Sequence, residues 1–433
     1  MNGASFFYAY RMLFVPLGGR RDSGKVRGAV FGIVLSLIPV VVAIQTASGM
    51  ISGIIERYLE IDSFHIAGQS YHNDFNHRAS ALAAEVAGAE GVVAALPVLE
   101  SHVLLSSVYG RSAAALKGVP PTLYENDAGF RKYFQIPDGR FDLSAPDRIL
   151  VSDGIAETLK LKPGDPVRML LNREAGGRSF LQAVTFTVSG IFSTGYYELD
   201  HMTAYISHDR ALQLFGKQGR TSLGIKLSDP GEKNAARIAG ELNRRFASDG
   251  ITFRTWKEKN RSLVENLDNT FALILSIAVL IILLAAVNIF SIMVAFELEK
   301  RTAVAVLRSL GVPPQTVFLA FLSAGLLIGI CGTVIGLSLG LLAAVNLNLL
   351  TEIADTVVSF LYGLLSGLNG DGFFQNKIEI LNKEYYLENI PLVISRRHIF
   401  LIAALTVFSS GAAALVPAVA AAGRKPLDVM KDL

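Results

Sequence analysis

Four long apolar runs dominate this 433-residue chain, at about Gly28–Gly49, Phe271–Phe296, Val317–Leu350 and Ile399–Val419. Each meets or approaches the roughly 20 residues a helix needs to cross ~30 Å of hydrocarbon. The third is long enough to continue as helix beyond a membrane. Composition agrees: 18% of residues are charged and 51% are hydrophobic, against about 25% charged in soluble domains. The expected fold is a membrane protein with four transmembrane α-helices, one and then three. A large α+β domain is expected between the first and second.

Basic residues orient this plan. Arg11, Arg20, Arg21, Lys25 and Arg27 precede the first run, Lys300, Arg301 and Arg308 lie between the second and third, and Arg424, Lys425 and Lys431 follow the fourth. With alternating crossings all three clusters fall on one side, which the positive-inside rule makes cytoplasmic. Arg396 and Arg397 run against the rule at the outer end of the fourth run. The expected segments are a cytoplasmic tail at 1–27, spans at 28–55, 268–298, 315–350 and 398–421, an outer domain at 56–267, a cytoplasmic helix and loop at 299–314, an outer loop at 351–397 and a cytoplasmic tail at 422–433. The first run exceeds the usual 7–15 residues of a signal-peptide core and follows a long tail, so it reads as an uncleaved anchor. Cys331 is the only cysteine, so no disulfide within the chain can brace the outer domain.

The outer segment is large enough for one or two lobes with cores of their own. Arg78–Gly88 and Pro230–Phe246 read as helices, and Leu96–Val108 and Val184–Phe192 as strands. Asp153 is placed to cap a helix running to Leu161, and Lys162–Asp165 (KPGD) reads as a turn. A two-lobed domain with its boundary near Pro146 or Pro163 is expected.

Several motifs have plainer readings than their patterns suggest. Gly19–Val26 (GRRDSGKV) imitates a phosphate-binding loop, but Val26 stands where Ser or Thr should ligate magnesium and no strand precedes it. It reads as a basic juxtamembrane segment, so ATP and magnesium are not expected to bind this chain. Gly336–Gly340 (GLSLG) imitates a nucleophile elbow, yet lies inside an apolar helix. Gly325, Gly329, Gly332, Gly336 and Gly340 are better explained as small residues that let helices approach closely. His65, His72, Asp74 and His77 cluster without a recognised metal-ligand spacing and read as interfacial polar residues. Asn288, deep in the second run, suits an interhelical hydrogen bond. No catalytic residues, no metal ligands and no nucleic-acid stripe stand out.

Glu297–Gln315 (ELEKRTAVAVLRSLGVPPQ) is the informative stretch. It predicts a short amphipathic helix with a Glu297–Arg301 pair four residues apart, stopped by Gly311 and the prolines that follow. A solvated connector would satisfy the pattern; a docking helix for a cytoplasmic partner explains it better.

That stretch and the topology resemble the permease family that includes the MacB, FtsX and lipoprotein-releasing ABC transporter subunits. The closing run from Pro417 (PAVAAAGRKPLDVMKDL) is similar to the family's C-terminal signature, with Met430 where leucine is usual. Arg254–Leu263, Gly190–Asp200 (GIFSTGYYELD) and Tyr385–Pro391 resemble the lipoprotein-releasing (LolC/LolE-type) branch. Two departures stand out. Asn172–Ser179 (NREAGGRS) falls where the carrier-contacting subunit of that branch has a proline-containing hairpin, and it lacks a proline. Glu352–Lys383 is longer than the family norm.

The resemblance implies a non-catalytic subunit in a bacterial inner membrane, with both termini cytoplasmic and the large α+β domain periplasmic. Its implied partners are an ABC ATPase dimer that binds ATP and magnesium, a second permease of the same or related chain, a lipoprotein substrate, a periplasmic lipoprotein carrier and membrane lipid. It assigns ATPase coupling to Glu299, Lys300, Arg301, Val304, Leu307, Arg308, Leu310 and Gly311. Ile44, Met50, Ile281 and Leu284 are candidates for lining a lipid cavity. A MacB-like efflux pump and an FtsX-like transmitter to a cell-wall hydrolase are the alternatives.

Overall fold

The computed structural model describes residues 22–70, 75–175, 178–216, 219–347, 349–350, 352–359 and 393–424. It contains two compact units, one built on Met50–Asn266 and one on the long helices outside it.

In the helical unit, α1 (Asp22–Arg57), α2 (Arg261–Ser309), α3 (Pro314–Val345) and α4 (Arg396–Gly423) are, among the described residues, the helices long and apolar enough to cross a membrane. They share one core, with Ile33, Leu37 and Val41 from α1, Ile282, Ile289 and Met293 from α2, Phe321 and Ile328 from α3, and Ile402 and Ala418 from α4. The glycines of α3 face two ways. A Cβ on Gly325 or Gly329 would lie 2.3 Å or 2.5 Å from Ala414 or Ser410 of α4. On Gly332, Gly336 or Gly340 it would press on Ile33, Leu37 or Val41 of α1 at 2.8–3.0 Å. Small residues therefore set both close approaches, as in other membrane helix pairs. Ser338, the elbow's would-be nucleophile, bonds back to the Val334 carbonyl within α3. From Asp22 onward the phosphate-loop look-alike is already α1 helix, while Gly19–Arg21 lie outside the described residues. The Asn288 amide packs over Gly32 of α1, leaving 2.3 Å to a Cβ there, where a hydrogen bond across helices was expected.

One expectation about α2 is corrected. The stretch from Glu297 is not a separate short helix but the last turns of a single 49-residue helix. Nothing from Leu283 to Leu310 breaks a helix; the charged residues there are good helix formers, so the hydrogen-bond ladder continues. It stops where the sequence says it should. Gly311 adopts φ +89°, its N–H bonds the Arg308 carbonyl, and the Val312 N–H bonds the Leu307 carbonyl, which together close a Schellman cap.

The second unit is α+β. Among the described residues, ten strands form one mixed sheet: β1 (Ile66–Ser70), β2 (Val92–Ser106), β3 (Arg111–Val119), β4 (Gln135–Gly139), β5 (Arg148–Ser152), β6 (Pro166–Ala175), β7 (Arg178–Ser193), β8 (Thr203–Ser207), β9 (Arg220–Leu227) and β10 (Ile251–Thr255). Their order is β10-β1-β9-β2-β3-β8-β5-β7-β4, with β6 paired to β2 and β7. The expected helices are present as Phe75–Ala87 and Glu232–Arg245. Ser152, not Asp153, is the N-cap of the helix Asp153–Leu159, and Asp153 in its first turn accepts from the Gly154 N–H. The KPGD turn forms as expected, with the Asp165 N–H bonded to the Lys162 carbonyl.

Two of this unit's cores do not divide on either side of Pro146 or Pro163. One joins the two ends of the segment, through Ile66, Val86, Leu223, Ile225, Ile238 and Phe253. The other gathers its middle, through Leu99, Leu116, Val151, Phe186 and Ile206. The 15-residue β2 is long enough to pair with β9 along its first half and with β3 along its second, so a single strand carries the sheet from one core to the other.

Candidate functional site

The turn joining α2 to α3 presents the residues singled out for coupling. Its outward face carries Leu298, Val306 and Leu310, which are 49%, 53% and 77% exposed. Glu299, Arg301 and Gly311 are exposed too, while Lys300, Leu307 and Arg308 are half-buried. Leu307 borders a shallow apolar notch with Val312, Thr316 and Val317. Val304 differs from the expectation of an outward-facing residue: at 3% exposure it belongs to the helical core and lies at the floor of that notch. Residues 304 and 306 differ by ~200° around a helix, so one side of α2 must turn inward when the other is offered.

The expected Glu297–Arg301 pair is also replaced. Glu297 is buried and bonds Arg424, just past the end of α4, at 2.6 Å and 3.2 Å. Arg308 donates to the Ala422 carbonyl at 2.7 Å. Sequence reading treated the C-terminal run only as a signature and missed Ala422 and Arg424 as part of this site. The signal was an acid at the very end of the second apolar run, with a basic cluster after the fourth run on the same side of the membrane plan.

At the other end of the helical unit, Ile44, Leu275, Ala278, Ile282, Leu401 and Leu405 surround a cavity of about 260 Å³, with Arg397 and His398 at its edge. Of the four lining candidates only Ile44 borders it. Ile281 and Met50 are half-buried elsewhere, and Leu284 is 69% exposed on the outward face of α2 with Leu280 and Val287. Gln45 is fully buried nearby and accepts from the Ser395 N–H at 3.3 Å.

In the α+β unit a polar cluster gathers where α1 gives way to a π-helical turn, Tyr58–Ser63. Glu60 of this turn bonds Lys226 at 2.6 Å, Lys226 also reaches Asp127 at 2.5 Å, and Asp62 pairs with the buried Lys117. Burial opposes charge on both members of that last pair. Each nevertheless holds the other ionised: Asp62 lies below the usual carboxylate range and Lys117 above the usual ammonium range. His65 accepts from the Leu227 N–H at 2.8 Å, and burial lowers its pKa; it is a structural residue of this cluster. His77 is exposed, and His72 and Asp74 lie outside the described residues.

The Gly190–Asp200 run is a turn built around its last residue. Asp200 accepts from the Thr194 N–H at 2.7 Å, the Thr194 hydroxyl at 2.8 Å, the Ser193 hydroxyl at 3.0 Å and the Tyr196 N–H at 3.2 Å. Gly195 takes φ +67° within it. Arg57 at the end of α1 donates to the Thr194 carbonyl at 2.9 Å, and Tyr58 meets Tyr196 edge-on. Within Asn172–Ser179, residues 172–175 belong to β6 and 178–179 to β7, strands whose backbone pairing runs from Pro166–Thr187 out to Ala175–Arg178, while residues 176 and 177 lie outside the described residues. Residues 360–383 of the long outer loop lie outside the described residues.

Two recognised domains overlap these units. The MacB-like periplasmic core domain matches residues 28–240, and the FtsX-like permease C-terminal domain matches residues 275–426. The chain thus carries both domains of MacB/FtsX-like permeases. It is similar to the lipoprotein-releasing system transmembrane protein LolC of Neisseria meningitidis serogroup B, 26% identical over 93% of each chain. LolC of Xylella fastidiosa is 26% identical over 74% of this chain and 76% of its own. The related protein LolE of Haemophilus influenzae is 24% identical over 66% of this chain and 64% of its own. The chain is thus a membrane permease with an α+β domain inserted between its long helices.

Proposed function

We propose that this permease is the LolC-type subunit of an ABC transporter that extracts lipoproteins from the outer leaflet of a bacterial inner membrane and releases them to a periplasmic carrier. The observation that carries this reading is the end-to-end similarity to LolC, 93% of both chains, beside the two family domains that this chain carries.

In this mechanism α1–α4 cross the membrane, both termini and the α2–α3 turn are cytoplasmic, and the α+β unit is periplasmic. A second permease, of this or a related chain, completes the complex with two ATPase subunits. Transferring acyl chains out of the bilayer is uphill by ~0.8 kcal/mol per CH₂ until a receiving surface covers them. The ATPase supplies that work. It docks on Val306 and Leu310, with Glu299 and Arg301 at the rim, and binds ATP and magnesium itself. The outward face of α2, where Leu280, Leu284 and Val287 lie open, forms a wall for the lipid, and the cavity beside Ile44 receives part of an acyl chain.

Depleting the protein and fractionating the membranes tests this reading. Lipoproteins of the outer membrane should accumulate in the inner membrane. Normal sorting accompanied by an efflux defect or by failed cell-wall cleavage would instead support the MacB-like or FtsX-like function.

A further inference from the structure

The end of α4 is held from two points on α2. Glu297, a carboxylate 4% exposed, has both oxygens taken by Arg424, at 2.6 Å and 3.2 Å. Eleven residues later Arg308 donates to the Ala422 carbonyl at 2.7 Å. Eleven residues make about three turns, so Glu297 and Arg308 lie on one side of α2, ~16 Å apart along its axis. Val306 and Leu310 lie about half a turn away, on the opposite and exposed side.

Each contact has its own physical reason. A helix C-terminus carries unsatisfied carbonyls and partial negative charge, which a cation stabilises. Here α4 ends at Gly423 and Arg308 supplies the cation from another helix. A buried carboxylate left without its partner is strongly destabilising, so its pairing specifies one arrangement of the two helices. Side-chain packing alone would allow α2 to rotate slightly; two polar contacts three turns apart do not.

We propose that the bracket formed by Glu297–Arg424 and Arg308–Ala422 is a positioning element. It locks the cytoplasmic extension of α2 to the end of α4, so that force on the Val306–Leu310 face moves both helices as one piece. This inference rests on the coupling role proposed for that face.

The test uses the full permease–ATPase complex in proteoliposomes, with Glu297→Gln, Arg424→Gln and the charge-swapped pair E297R/R424E. Lipoprotein released per ATP hydrolysed should fall about tenfold in the single variants, the scale of one buried pair's coupling, while membrane insertion and ATPase binding persist. The swapped pair should recover much of the loss. Unchanged release per ATP in the single variants overturns the proposal. So does failed insertion that the swap does not restore, because it assigns the bracket to folding alone.

A second readout needs no substrate. Spin labels at positions 309 and 419, in a Cys331→Ser background, report the distance between the α2 extension and α4. In the wild type one narrow distance should persist with and without ATP; in Arg424→Gln it should broaden. A wild-type distance that shifts with ATP as much as the variant's refutes the lock. Wild-type vesicles that hydrolyse ATP without releasing lipoprotein would reject the transport reading and leave this distance test standing.

Discussion

Lys117 and Asp62 show what a buried pair does to a domain with no disulfide. Lys117 is almost wholly inside, so losing its partner leaves an ammonium stranded in the protein. Asp62→Asn or Lys117→Met should destabilise the α+β unit by ~3 kcal/mol, and the double replacement Asp62→Leu/Lys117→Met should recover most of it. Urea unfolding of the detergent-solubilised protein measures both; equal stability of singles and double would refute the pairing. His65 and His208 add a pH dependence, since burial lowers both pKa values. The unfolded chain takes up these protons near pH 6.5, the folded unit only at lower pH, so stability is full above about 6.5 and falls as pH drops through it. Protonating His65 at Nδ1 also removes the acceptor for the Leu227 N–H. Thermal melts at pH 7.5 and 5.5 should show the loss, and His208→Leu should shrink it; a melting temperature that ignores pH would contradict the assignment. None of these partners was legible in the sequence. Lys117 and Asp62 are 55 residues apart, and only the sheet brings them together. Glu297 illustrates the same limit: the local rule pairs it with Arg301, one turn away, and the fold pairs it with Arg424 instead.

Elements were easier to read than contacts, for a physical reason. The bilayer requirement imposes a length and composition so restrictive that each apolar run marks its own helix, and glycines four residues apart mark where helices touch. The end of α2 was legible because Gly311 and two prolines are local signals. Its beginning as a separate helix was misread, because a change from apolar to charged residues alters the surroundings of a helix without breaking it. In the α+β unit two strands, β2 and the later part of β7, were legible, while the other strands and the order of the sheet were not: β2 serves two cores because of its length and its partners, not its composition. The exposed end of α2 carries its own prediction. Leu310→Asp should leave insertion and melting temperature unchanged, because the side chain is 77% exposed, and should lower copurification of the ATPase about tenfold or more, as expected when an apolar anchor is lost. Full ATPase binding by this variant would move the docking face elsewhere.

At the scale of the whole molecule the chain divides its labour. The helical unit provides a core set by glycines, an outward apolar face on α2, and a turn held in one orientation by Glu297, Arg308 and Arg424. The α+β unit provides a continuous sheet, a polar cluster around the π-helical turn, and a long β6–β7 strand pair. Within the Gly19–Val26 run, Asp22–Val26 are the first turns of α1, and in the proposed function energy enters through the α2–α3 turn from a separate ATPase. The central claim is that this permease converts ATP hydrolysis by that subunit into lipoprotein release. The direct measurement is a proteoliposome assay with the assembled complex, a triacylated lipoprotein and a soluble carrier. Lipoprotein should pass to the carrier only with ATP and magnesium, and the Leu310→Asp complex should release almost none. ATP-independent transfer, or transfer that Leu310→Asp leaves intact, would contradict the account.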